Sequence, residues 1–152
     1  MNGTTMKFLT RLLLAVAGLA CAASAFPEDL TTDDRQLVEM PAQTQEMMRQ
    51  KMQDHLTVLS QIIAYLADND LPAAAEIAEQ RLGMSSMGKH RGTGMGPGKF
   101  MPKEMKQIGR GMHQAASRLA DAADRGDLAD SYSALQGVVA SCAACHSGFR
   151  IR

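Results

Sequence analysis

The chain has 152 residues, and its 16 acidic and 16 basic side chains leave no net charge at neutral pH. This balance argues against the strongly basic surface with which proteins bind nucleic acids or anionic membranes. Methionine is abundant, tryptophan is absent, and runs of alternating β-branched residues are missing. The composition therefore predicts an all-α protein of one domain.

Residues 1–25 predict an export signal that is cleaved from the mature protein. Lys7 and Arg11 give it a positive start, and the apolar run at 12–23 is too short to span a bilayer. The sequence ASA at 23–25 has the small-x-small pattern that a signal peptidase accepts. We therefore expect a periplasmic protein.

A lipoprotein signal, with Cys21 as the lipidated residue, is the alternative, but Gly18 stands where a larger apolar residue is preferred. No later stretch is long and apolar enough for a membrane helix. The folded domain is predicted to cover 26–152 and to keep two cysteines, Cys142 and Cys145.

The first long helix is predicted from about Pro41 to Ala67, where Asp68-Asn69-Asp70 breaks it. One face of this helix carries side chains at steps of three and four residues, the pattern of a bundle helix. The members of this stripe are Met48, Met52, His55, Leu59, Ile62 and Leu66.

Pro72 begins a shorter predicted helix, and Gly83 ends it. Residues 83–102 contain many glycines, two prolines and no hydrophobic period, so they predict a long, flexible connection. The third helix is predicted from Lys103 to Arg125.

Gly126 ends the third helix, and Asp127 is the predicted cap of the last one. The inner face of the last helix is predicted to carry Leu128, Tyr132, Leu135, either Val138 or Val139, and Cys142. Four amphipathic helices with two short connections and one long one predict an antiparallel four-helix bundle.

The motif CAACH at 142–146 is placed at the end of the last helix. A structural zinc site needs four protein ligands, and the motif offers at most three. A redox dithiol needs the start of a helix, whose dipole lowers a thiol pKa. Covalent haem fits, because Cys142 and Cys145 share a helix face and can form thioethers to one porphyrin, with His146 as the proximal iron ligand.

A single CxxCH on the last helix of a bundle, followed by an aromatic and a basic residue, resembles the class II c-type cytochromes, the cytochrome c-prime family. The motif here is CAACHSGFR at 142–150, and the resemblance covers nearly all of 40–152. It implies one haem c inside the bundle, with its distal side facing the first helix. It also implies transient redox protein partners and a possible homodimer through the first two helices.

The resemblance places the distal residue on the first helix, before a basic residue, which matches Met48 followed by Arg49. Met52 lies one turn further on the same face and is the second choice. His55 and His113 are alternative ligands, since imidazole also binds haem iron. A distal methionine implies the low-spin electron carriers of the family, whereas an open site implies binding of NO or CO.

Three side chains are expected in the haem pocket. Phe149 is expected to form a wall, Arg150 to pair with a propionate or a carbonyl beside the proximal imidazole, and His55 to lie on the inner stripe near the haem. The sequence thus predicts an electron-transfer protein rather than an enzyme.

The connection at 83–102 has a second interpretation, because thioethers and an imidazole outside the cytoplasm can bind Cu(I). The alternative is a plain connector whose methionines cover the haem edge. The side chains concerned are Met84, Met87, His90, Met95 and Met101.

Overall fold

The computed structural model describes residues 33–88 and 96–152. The chain forms helices α1 (Ala42–Ala67), α2 (Leu71–Ile77), α3 (Lys103–Asp124) and α4 (Leu128–Gly148), with two short strands, β1 (Gln36–Leu37) and β2 (Phe149–Arg150). A π-helical segment, Ala78–Leu82, continues α2, and 3-10 turns cover Met84–Ser86 and Pro97–Lys99. The predicted all-α, four-helix fold is confirmed. The predicted signal at 1–25, His90 and Met95 lie outside the described residues.

The ends of the helices follow from local chemistry. Pro41 precedes α1, where its missing N–H costs no hydrogen bond. Asp70 caps α2 by accepting a hydrogen bond from the Ala73 N–H at 3.2 Å. Asp127 caps α4 by accepting one from the Asp130 N–H at 2.9 Å, as the sequence predicts. The connection before it turns at Gly126, whose φ of 75° suits a residue without a side chain.

The helices pack in chain order. α1 packs on α2, α2 and its π-helical continuation pack on α3, and α3 packs along α4. The main core between them is built from aliphatic side chains, with Val58, Ile62, Leu82, Leu119 and Val138 among the most deeply buried. α1 and α4, the first and last members of this sequence, do not pack closely on each other along their lengths.

The two strands join the segment before α1 to the segment after α4. β1 pairs with β2 in parallel, with Gln36 opposite Phe149 and Leu37 opposite Arg150. The pairing continues with a hydrogen bond from the Val38 N–H to the Arg150 carbonyl at 2.8 Å. The start of α1 therefore lies beside the end of α4. We call this end of the bundle the strand end, and the end holding the α3–α4 connection the turn end.

Some details of the sequence prediction are wrong. Tyr132 is 44% exposed instead of lying on the inner face, and of the two valines Val138 is buried while Val139 is 44% exposed. The described parts of the connection at 83–102 contain two 3-10 turns, formed by i to i+3 bonds around Gly83 and Pro97, which is compatible with the predicted connection. No helix within the described residues is long and apolar enough to cross a membrane.

Candidate functional site

The CAACH motif occupies the last two turns of α4, so the structure confirms that both thiols lie near a helix C-terminus. Cys142 and Cys145 are half-buried and free of any disulfide. Burial raises the pKa of both thiols, and for Cys145 the neighbouring Cys142 adds to the rise. The next side chain, His146, is exposed. Two neutral thiols and an accessible imidazole thus lie together at the strand end.

The two thiols face different apolar groups. Cys142 packs against the main core, whereas Cys145 packs against a separate cluster at the strand end. We call this second group the methionine cluster; its members are Val38, Met40, Met48, Met105 and the partly buried Met52, Phe100, Met101, Cys145, Phe149 and Ile151. The fold therefore brings both predicted distal candidates, Met48 and Met52, into one cluster with Cys145.

One side of α1 carries exposed apolar side chains. The opposite side faces the π-helical continuation of α2, as the ion pair between Asp54 and Arg81 shows. Successive residues turn by about 100° around a helix, so Leu56 and Ile63 lie on the side away from α2. They are 68% and 45% exposed. Because the helices pack in chain order around the bundle, we assign this side of α1 to the open space between α1 and α4, which we call the seam.

α4 has a matching exposed face. Its side toward α3 is marked by Gly137, where an added Cβ would lie 3.4 Å from the Ala115 Cβ. Tyr132 and Val139 lie on the other side of α4, each 44% exposed. His146 follows Val139 at the same seven-residue spacing, so all three border the seam with α1.

The residues around this seam fit a covalently bound haem. A porphyrin is a broad, flat, apolar ring that needs apolar walls on both faces, and large apolar side chains line both helices of the seam. The two thiols and the imidazole that a haem c requires lie at its strand end.

Residues 37–150, from β1 to β2, match the family model described as Cytochrome C'. The chain belongs to this family. Comparison with curated proteins and with solved structures gave no match. Membership in the cytochrome c-prime family makes the chain a c-type cytochrome, either an electron carrier or a gas-binding protein.

In this cytochrome the segment before α1 holds the end of α4. Arg35 Nη1 donates a hydrogen bond to the carbonyl of His146 at 3.3 Å, and Arg150 Nε donates one to the carbonyl of Arg35 at 3.2 Å. Phe149 is half-buried in the methionine cluster. The predicted pocket residues Phe149 and Arg150 thus lie beside the attachment motif, whereas nothing in the sequence pattern indicated Arg35.

The two other described histidines of the cytochrome meet each other. The rings of His55 and His113 are perpendicular, with centroids 6.4 Å apart. Nδ1 of His113 lies 2.6 Å from the carbonyl of Leu82, so this nitrogen carries the proton and donates it. Burial, reinforced by Lys51 and His113, lowers the pKa of His55 to about 4, and burial lowers that of His113 although the bond to Leu82 opposes the shift.

A second polar group ties the π-helical segment to α3. The carboxylate of Glu79 accepts hydrogen bonds from the Ser85 N–H at 2.9 Å and from the Ser117 hydroxyl. Ser117 in turn accepts one from the Met84 N–H at 2.9 Å. Burial alone would raise the pKa of Glu79, but these hydrogen bonds outweigh burial and lower the pKa. The beginning of the connection is therefore held against α3 at Met84. Its end packs in the methionine cluster through Met101.

Proposed function

We propose that this cytochrome is an exported, periplasmic one-electron carrier and not an enzyme. It holds one haem c by thioether bonds to Cys142 and Cys145, with His146 as the proximal and Met48 as the distal ligand of the iron. The observation that carries the proposal is the burial of Met48 in the same cluster as Cys145. A distal thioether that is shielded from water suits electron transfer better than an open ligand site.

The choice of Met48 over Met52 rests on burial and on position along α1. Met48 is 5% exposed and lies in the second turn of α1, beside the strand pair at which α4 ends. Met52 lies one turn further along the same face and is only half-buried. The thioether nearer the start of α1, and better protected from water, is the stronger candidate.

The protein's own residues set the environment of the site. When bound, haem supplies the one-electron couple of its iron, and thioether ligation raises the potential relative to two imidazoles. The sulfur of Met48 is a ligand that needs no deprotonation, so it is available at every pH. Phe149 and Met101, packed in the same cluster, exclude water from its surroundings.

The absorption spectrum of the ferric holoprotein tests the proposal. Wild type should be low-spin and show the weak red-end band of iron bound by a thioether sulfur. Met48→Leu keeps the volume of the side chain but removes the sulfur, so it should be high-spin and bind CO readily. Met52→Leu is the matched control and should keep the wild-type spectrum.

Other outcomes decide between the rival interpretations. A high-spin wild type that binds CO rapidly would make the protein the gas-binding kind of cytochrome c-prime. Loss of the thioether band in Met52→Leu alone would assign the ligand to Met52. Covalent attachment is tested separately, because the haem must remain on denatured, solvent-extracted wild type and be lost from a Cys142→Ser, Cys145→Ser variant.

A further inference from the structure

The charged side chains of the bundle are separated along its length. The segments 67–71 and 120–131, at the turn end, contain a single basic residue, Arg125, and it pairs with Asp130 at 2.7 Å. The exposed acidic residues of these segments are Asp68, Asp70, Asp121, Asp124, Asp127 and Asp130. The turn end is therefore strongly acidic.

The strand end also carries exposed carboxylates at Asp34, Glu39 and Glu46, but one segment of it, 96–110, is strongly basic. Four exposed cations, Lys99, Lys103, Lys106 and Arg110, lie on the turn before α3 and on its first two turns, and we call them the basic patch. The last three are spaced by three and four residues, so they share one face of α3. The acidic residue within 96–110 is Glu104.

The stability of α3 does not explain this arrangement. The start of a helix carries partial positive charge and its end partial negative charge, so cations are favourable at the end and anions at the start. α3 has Lys103 and Lys106 near its start and Asp121 and Asp124 near its end, which is the unfavourable order. α4, by contrast, begins with Asp127 and Asp130, the favourable order. Charges that oppose the helix dipole indicate a role at the surface.

The basic patch lies next to the attachment site. Phe100, Met101 and Met105 alternate with the patch residues along the chain, and all three pack in the methionine cluster together with Cys145. The cations are therefore on the outer surface of the same short segment whose inner side chains cover the cluster. A molecule bound to the patch would lie close to the haem.

We propose that the basic patch is the docking surface for the acidic face of a redox protein partner. This inference rests on the proposed electron-transfer function. The acidic turn end would repel the same partner. The opposite charges of the two regions would therefore orient the protein with its basic patch toward the partner before contact. Such steering speeds association by about 10-fold to 1,000-fold and weakens as salt increases.

The experiment measures the rate at which ferricyanide, a small anion, oxidises the ferrous holoprotein. In Lys103→Glu, Lys106→Glu the rate at low ionic strength should fall by at least about tenfold. The matched control is Arg118→Glu, Arg125→Glu, which changes the net charge equally but lies away from the strand end; its rate should fall by less than about twofold. High salt should remove the difference. Equal slowing in both variants would overturn the proposal, since only net charge would matter.

Binding experiments test which class of partner the basic patch binds. They also test the patch independently of the proposed electron-transfer function. Poly-L-glutamate should bind wild type and the Arg118→Glu, Arg125→Glu control but not Lys103→Glu, Lys106→Glu. Binding to phosphatidylglycerol vesicles without binding to poly-L-glutamate would overturn the proposal in favour of a membrane surface. Reversible reduction is measured independently by voltammetry, so a protein without it would contradict the electron-transfer function while polyglutamate binding still tests the patch.

Discussion

At the scale of single residues, the histidines of the described chain have three different surroundings. His146 is exposed at the attachment motif, His113 is buried and fixed by the carbonyl of Leu82, and His55 is half-buried against His113. Only the first is adjacent to cysteines. The other two form a neutral pair whose contribution to stability depends on pH.

Acidification should destabilise the fold through His55. Its pKa is lowered from 6.5 to about 4, so the unfolded chain takes up a proton at this residue first as pH falls. The stabilising contribution of neutral His55 is therefore fully present above pH 6.5. It is lost between pH 6.5 and about 4, by up to about 1 kcal/mol per pH unit for a half-buried group. Urea unfolding of the holoprotein at pH 7 and pH 5 measures this loss. In His55→Asn the loss should be smaller, and parallel curves for the two proteins would contradict the prediction.

Arg35 should influence the haem potential through its charge. Its guanidinium bonds the carbonyl of His146, and a positive charge near the iron disfavours the ferric state. We expect Arg35→Gln to lower the midpoint potential by about 10–30 mV, a modest shift because the contact is exposed and screened. Arg35→Lys retains the charge and should remain near wild type in the same redox titration. An equal shift in both variants would mean that the hydrogen-bond geometry, rather than the charge, is responsible.

At the scale of the elements, Gly83 is the position where the π-helical segment ends against its own side chains. A Cβ at Gly83 would lie 2.8 Å from the Glu79 Cα and 2.6 Å from the Glu79 Cδ, a carboxylate already held by Ser85 and Ser117. Gly83→Ala should therefore destabilise the protein by about 1–3 kcal/mol in urea unfolding. Gly111 in α3 is the matched control, because a Cβ there meets nothing within 4 Å. Gly111→Ala should stabilise by about 0.5–1 kcal/mol, and a loss at both sites would contradict the explanation.

The helices and strands also show which structural features the spacing of residues in the sequence can predict. The apolar stripe of α1 and the caps of α4 were predictable, because burial and capping follow from residue type and spacing alone. The pairing of β1 with β2 was not, since two residues are too few to show an alternating pattern. Tyr132 is mispredicted for another reason: an apolar residue that borders the exposed seam has the same spacing as one that borders the core.

Some features of the candidate site could likewise be predicted from the sequence, and others could not. CAACH identifies its chemistry by composition and spacing, and the stripe of α1 supplies Met48 and Met52 as candidates. Spacing does not say which thioether is buried, nor that Arg35 reaches the carbonyl of His146, because both depend on how the segment before α1 meets the end of α4. The contact between His55 and His113 likewise joins residues 58 positions apart that share no motif.

At the scale of the whole molecule, the seam between α1 and α4 is the part of the bundle that the described residues, 33–88 and 96–152, pack least closely. Leu56, Ile63, Tyr132 and Val139 remain exposed along it, while the contacts from α1 through α2 and α3 to α4 are continuous. A haem held there would act as part of the core, so its binding should contribute directly to the free energy of unfolding.

Removal of the haem should therefore open the seam. The Cys142→Ser, Cys145→Ser protein is expected to bind a hydrophobic dye and to lose at least about 3 kcal/mol of stability relative to the holoprotein. Val139→Asn gives a sharper measurement, because a polar amide without a partner is costly only against an apolar ring. It should destabilise the holoprotein by about 1–2 kcal/mol and leave the haem-free protein nearly unchanged. Ala140→Asn, next along α4 and exposed, is the control; it should cost only the lower helix propensity of Asn, about 0.5 kcal/mol, and equally with and without haem. If Val139→Asn destabilised the protein equally with and without haem, Val139 would pack against other parts of the protein. The haem would then not lie on this side of α4.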